Sequence, residues 1–348
     1  MKHSILLFSC IFLISITNAQ NSDKLLKFYS EKKFEETINL GLKQLEKYPG
    51  NPYISSIVGR SYADLNQFQN AIPFLEKGAT IENGPDGVKA WSYGYLGRCY
   101  YFTNNVQKSK ECLEKCISLR ATENSVRYGK NHLESFQISD FYGSWETLET
   151  EHFIFHFQNA NNLSSKEQFT KDREDAYTQI NKFFNAKPYK KIDFYVWDKP
   201  EQAKEKLGRE LGFANSYSCI INSRNNQTRG HEITHILCNI GMEANNQTKL
   251  ISEGIAVYFD QTNRDRYEIA KESIRGKEID LIDLWKNKNP FPEEYFYTVG
   301  PALIAYLFEN GTEDQIKQLL KDQSLESAKR VYPNFNELMN SFNKKLKE

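Results

Sequence analysis

His231-Glu232-Ile233-Thr234-His235 is the stretch of this 348-residue chain whose residue types and spacing can do chemistry. On a helix, side chains four apart lie one above the other on one face, so two imidazole nitrogens can converge on one ion. Glu232 sits about 100° round the helix from His231, outside the ligand plane but close enough to work on a water held there. Two histidines and an intervening glutamate in this order are the pattern of a metal site with its own general base. Ile233, Ile236, Leu237 and Ile240 form one apolar stripe, while His231, His235 and Cys238 lie on another. The histidines are therefore expected to face away from the core that the stripe buries.

A catalytic zinc keeps three protein ligands and an open position. Glu253 stands eighteen residues after His235, within Leu250-Ile251-Ser252-Glu253-Gly254-Ile255-Ala256-Val257-Tyr258-Phe259-Asp260. That interval lets the first helix end near Gly241 and a second return antiparallel. A glutamate among Ile255, Val257, Tyr258 and Phe259 needs a partner, because a buried charge left alone is costly. The expected ligand set is His231, His235 and Glu253, with Glu232 as base and one zinc ion per chain. Asp260, seven residues after Glu253, is a candidate to support the ligands from behind.

Together, His-Glu-x-x-His and Glu-Gly-x-Ala-x-Tyr-Phe resemble the gluzincins, the zinc peptidases whose third ligand is glutamate. The resemblance covers about residues 145–345. In aminopeptidase-N-like members a tyrosine in a Tyr-x-x-Gly element stabilises the oxyanion; Tyr297-Thr298-Val299-Gly300 is similar to that element. The resemblance thus implies Tyr297 as a catalytic residue, with Tyr295 a rival two residues away. It also implies that Gly212-Phe213-Ala214-Asn215-Ser216 is the edge strand that pairs with substrate, through the backbone of Ala214 and Asn215. This stretch lacks a glutamate to grip a free N-terminus, so endo- and exopeptidase modes both stay open.

The resemblance implies a small sheet over a cleft, with the metal helices beneath. Period-two alternation predicts a strand at His152–Phe157, whose His152 and His156 are expected to be sheet-face residues. A helix is expected over 166–184, a strand at Ile192–Trp197, a helix from Pro200 to Leu211 and a third strand from Ala214 to Ile221, with helices beyond Pro301.

The first half repeats. Gly59 is followed by Tyr62, Phe68, Ala71 and Leu75, and Gly97 by Tyr100, Val106, Ser109 and Leu113 at the same offsets. Thirty-four residues before Gly59, Leu25 is followed by Phe28, Phe34 and Thr37. Glycine and Ala/Ser mark places where paired helices cross closely. The spacing resembles tetratricopeptide repeats, whose groove accommodates a protein partner or, failing that, serves as a spacer.

Lysine plus arginine and aspartate plus glutamate both number 45. No basic excess points to nucleic acid. Lys2, the apolar run Ile5–Ile16 and Thr17-Asn18-Ala19 read as a secretory signal, placing the mature chain in a secreted or periplasmic setting with no later membrane span. Cys99, Cys112, Cys116, Cys219 and Cys238 would remain, an odd number without Cys-x-x-Cys spacing.

The expectation is a multidomain chain. It comprises a signal peptide (1–19), all-α tetratricopeptide-like repeats (20–120) and a capping helix and linker (121–145). An α+β zincin-like metallopeptidase domain with a helical C-terminal part (146–348) follows. Its substrate would be a peptide or protein. The alternative is a protein-binding scaffold carrying a vestigial peptidase domain.

Overall fold

The repeat spacing becomes visible as helix pairs in the computed structural model, which describes residues 24–348 apart from 83, 211 and 289. The expected signal segment lies outside the described residues. The chain divides after Ser144 into two compact units.

The first unit is helical throughout. α1 (24–30) and α2 (Phe34–Lys47), α3 (Pro52–Asp64) and α4 (Phe68–Thr80), and α5 (Asp86–Phe102) and α6 (Val106–Ser118) form three hairpins. α7 (Glu123–Ser135) follows, in the stretch expected to cap the array. Within each hairpin the turn uses a left-handed residue at the same repeat position: Lys32, Asn66 and Asn104, with φ of 58°, 58° and 62°. Asn51 and Asn105 cap α3 and α6 by accepting from the Ile54 and Lys108 amides, and a Thr122–Ser125 capping box starts α7. The periodic glycines are points of contact. A Cβ on Gly59 would lie 2.6 Å from Leu75 Cγ, and one on Gly97 2.5 Å from Leu113 Cγ. Those leucines are the residues sixteen positions on in the repeat, so the pattern records one helix crossing repeated.

The second unit is a mixed sheet surrounded by helices. Its strands are β1 (Glu146–Glu149), β2 (Phe153–Phe157), β3 (Ile192–Trp197), β4 (Phe213–Asn215) and β5 (Ile220–Arg224), in the order β1-β2-β3-β5-β4. β2, β3 and β5 run parallel, and the two edge strands are antiparallel to their neighbours. α8 (Lys166–Phe184) connects β2 to β3, and α9 (Pro200–Leu207) follows β3. Phe153, Phe155 and Phe157 point inward while the residues between them are half-buried, and β3 is buried along its whole length. Phe169, Ala176, Ile180 and Phe184 are the apolar side of α8 in the same core; each such ring or branched side chain contributes about 1.5–3 kcal/mol on full burial.

Two sequence expectations change here, and one strand was not foreseen. The single strand expected over 214–221 is two strands joined by a turn. Asn215-Ser216-Tyr217-Ser218 is turn chemistry: Asn215 Oδ1 accepts from the Ser218 amide at 3.2 Å, and Cys219 takes a φ of 52°. The helix expected to reach Leu211 ends at Leu207, where Gly208 adopts a φ of 66° and closes it. β1 was not expected, because Glu-Thr-Leu-Glu has one apolar residue and is exposed apart from Leu148.

The remaining helices are α10 (His231–Met242), α11 (Lys249–Tyr258), α12 (Arg266–Ser273), α13 (Leu281–Lys286), α14 (Glu294–Asn310), α15 (Glu313–Lys321), α16 (Leu325–Val331) and α17 (Phe335–Lys347). α10 packs on α8, α11, β4 and β5, and α11 lies along α14. At that crossing the backbones touch: a Cβ on Gly254 would lie 2.8 Å from the Gly300 carbonyl carbon. No helix among the described residues is long and apolar enough to cross a membrane.

Candidate metal centre

α10 starts at His231 itself, so the histidine pair occupies its first two turns. Ile233, Ile236 and Leu237 are buried in the core as the stripe required, which turns His231 and His235 to the other side. The start of α10 is clamped from behind. The Gly230 amide donates to the Asp260 carbonyl at 3.3 Å, and a Cβ on Gly230 would lie 2.4 Å from the Phe259 carbonyl oxygen. Asp260 therefore supports the site through its backbone. Its carboxylate accepts from Thr262 and from Arg266 at 2.6 Å, beyond the end of α11, and not from His231 or His235.

α11 returns alongside and brings in Glu253. Its Oε2 lies 3.4 Å from His231 Nε2 and 3.5 Å from His235 Nε2. Neither approach is a hydrogen bond, and this buried oxygen has no hydrogen-bond partner. Ligands about 2.0–2.1 Å from a tetrahedral zinc stand about 3.3–3.5 Å apart. Glu253 Oε2 thus stands at ligand-to-ligand spacing from both histidine nitrogens, and an orphaned oxygen is the state expected of a candidate ligand atom. The donor set, two imidazoles and a carboxylate, suits zinc. Glu232 is also near, within 4.8 Å of both histidine nitrogens. Its Oε1 stands 4.0 Å from His231 Nε2, farther than Glu253 reaches, so Glu253 is the nearer candidate for a third ligand.

Two carboxylates in one site are driven apart electrostatically. Burial raises the Glu232 carboxyl to about 7, with the Glu253 charge adding to the rise and His231 opposing it. For Glu253 burial also pushes upward, but the two imidazoles outweigh it and hold the group at about 2. One glutamate is poised to take a proton near neutrality and the other stays charged.

Gly212, immediately before β4, covers Glu232. It has a φ of 88°, and a Cβ there would lie 2.2 Å from Gln227 Nε2 and 3.3 Å from Glu232 Oε1. The sequence marked this glycine only as the start of an edge strand; its place before a short strand was the available signal for close approach. Ala214 and Asn215 do lie on the edge strand, with β5 as the neighbour. The β4–β5 turn is tied to α10 by Asn239, two turns after His231, whose Nδ2 donates to Ser216 Oγ at 2.8 Å.

Tyr297 lies in the first turn of α14, 37% exposed, with its ring centroid 6.0 Å from that of His231. Burial raises its hydroxyl pKa, and the charge of Glu253 adds to the rise, so the phenol stays protonated. Tyr295 is 3% exposed with Lys277 Nζ 5.4 Å from its ring; two residues apart on a helix is about 200°. It belongs to the core.

His152 and His156 are not brought to the centre. His152 Nδ1 meets Glu174 at 2.6 Å and His156 Nε2 meets Asp193 at 2.7 Å, with Lys190 beside the same aspartate. All five described cysteines are free; burial raises each thiol.

Residues 92–123 match the tetratricopeptide repeat family. The match covers most of α5, all of α6 and the start of α7 in the first unit. Comparison with curated proteins gives no match.

Proposed function

We propose that the second unit is a zinc-dependent peptidase of gluzincin type, working outside the cytoplasm. The observation that carries the proposal is the Glu253 oxygen, orphaned and nearly equidistant from His231 Nε2 and His235 Nε2. His231, His235 and Glu253 would hold the ion; when bound, zinc supplies Lewis acidity that polarises a carbonyl and acidifies a water.

The chain's own groups divide the remaining work. Glu232 accepts the proton of the attacking water and hands it to the leaving amine, a role matched by its buried setting and a pKa of about 7. Gly212 lies against that carboxylate and helps to keep it dry. Tyr297, protonated and beside His231, donates to the oxyanion. The outer edge of β4 offers backbone N–H and C=O groups at Ala214 and Asn215 to an extended peptide.

Metal analysis combined with cleavage of a mixed peptide library tests the proposal. The expected result is one zinc per mature chain, with Glu232→Gln retaining zinc and losing cleavage. A wild-type protein that binds no zinc at micromolar concentration, or a Glu232→Gln variant that cleaves undiminished, overturns it.

A second reading rests on the tetratricopeptide match: a scaffold whose repeats recruit a protein, with a vestigial second unit. On the first helices of the repeats, the Arg60 guanidinium lies 4.6, 4.9 and 5.1 Å from the rings of Tyr29, Trp91 and Tyr95. Such an aromatic and cationic face suits a partner segment. Stoichiometric zinc with no turnover of any peptide would favour this reading.

A further inference from the structure

A cavity of about 470 Å³ opens in the second unit between the start of α8 and the loop that leads into α10. Arg173 is the most deeply buried charged group in its wall, 4% exposed. Its Nε has no hydrogen-bond partner. Its terminal nitrogens reach the carbonyls of Phe169 and Gln227 at 3.3 and 3.4 Å, both long. One face of the guanidinium is covered by the Phe169 ring, whose centroid is 3.4 Å away. The acid in the cavity wall, Asp172, is engaged by Arg229 at 3.3 Å. Two arginines against one aspartate leave one positive charge in the wall, and burial, with the Arg229 charge adding to it and Asp172 only partly opposing, pulls the Arg173 guanidinium down to about 10.

We propose that this cavity binds a ligand through a single carboxylate group, received by Arg173 and Arg229. A buried cation is stabilised when a hydrogen-bonded anion joins it. A planar guanidinium matches a carboxylate in two parallel bonds, and the residual charge matches a monoanion. The first turn of the 19-residue α8, capped by Ser165, adds a partial positive charge at the cavity mouth. Gln168 and Asn225 line the wall; their amide nitrogens donate to Asp172 and to the Asn162 carbonyl, and their carbonyl oxygens offer acceptors for the polar remainder of the ligand.

Titration of the ¹⁵N-labelled mature chain with acetate and succinate, at ionic strength held constant with chloride, tests this. Saturable shifts at the Arg173 side chain and in the 225–229 backbone are expected, with inorganic phosphate at least tenfold weaker. Arg173→Gln should abolish saturation. Arg229→Gln, whose side chain is 57% exposed and whose loss leaves the core intact, should weaken binding about tenfold. Shifts that stay linear with concentration, that chloride reproduces, or that survive Arg229→Gln unchanged overturn the proposal; phosphate binding as well as acetate overturns its carboxylate selectivity.

Discussion

Replacing Gly254 by alanine tests the join between the third candidate ligand and the candidate oxyanion donor. The new Cβ would stand 2.8 Å from both the carbonyl carbon and oxygen of Gly300. Carbon contacts are comfortable at about 3.5 Å or more, so α11 and α14 must part by about 0.7 Å. Both obstructing atoms are backbone, so no rotamer change relieves the clash. Overpacking of this kind costs about 1–3 kcal/mol. Glu253 precedes Gly254 directly and Tyr297 lies one turn before Gly300, so the parting also moves the tyrosine relative to the carboxylate. Chemical denaturation of the metal-free protein should show a lower midpoint with an unchanged slope. Zinc affinity and turnover should both fall, because a ligand and a donor shift together. Gly87→Ala is the control: nothing lies within 4 Å of its Cβ, and alanine in helix α5 should be neutral or add up to about 1 kcal/mol. If Gly254→Ala matches Gly87→Ala in midpoint and keeps full zinc affinity, the glycine crossing does not position this site.

Tyr297→Phe should lower turnover about a hundredfold to a thousandfold while leaving zinc occupancy intact; equal losses of both in a paired assay would reject its role. In the metal-free protein the Glu232 carboxyl, about 7 folded against 4.5 unfolded, binds its proton more tightly in the native state. Its contribution is therefore complete below pH 4.5 and lost as pH rises to about 7, worth about 3 kcal/mol over 2.5 units. Comparing melts of the wild type and Glu232→Gln from pH 4 to 8 isolates it, and parallel profiles would contradict it. Glu253 has the opposite sign, stabilising above pH 4.5 and losing that contribution as pH falls toward 2. In the repeats, Gly97→Ala meets Leu113 at 2.5 Å and should cost about 1–3 kcal/mol. The Gly97→Ala/Leu113→Ala double variant should then fall short of the summed single losses in a denaturant cycle, and strict additivity would mean the two do not touch.

The readable features were those carried by short periods. Repeat glycines and leucines sixteen apart appeared as helix crossings because each repeat solves one local packing problem. The alternating phenylalanines of β2 and the apolar stripe of α10 fell on their expected faces for the same reason. β1 escaped notice because an exposed edge strand needs no alternation. The β4–β5 turn falls inside the single strand expected over 214–221, because a three-residue edge strand is too short to show a period before Asn215 folds back on Ser218.

The pairing of His231 with His235 was determined by sequence alone, since helical rise and twist bring residues four apart onto one face. The same local rule set Glu232 aside from them. Only the tertiary structure brought Glu253 beside both histidines, because seventeen intervening residues permit many placements and one helix packing produced 3.4 and 3.5 Å. It also separated Tyr297 from Tyr295, which differ by two positions and by which side of α14 meets the core. The deciding contact was the Gly254–Gly300 backbone crossing: local periodicity specifies a helix face, but only close packing between helices specifies what that face meets.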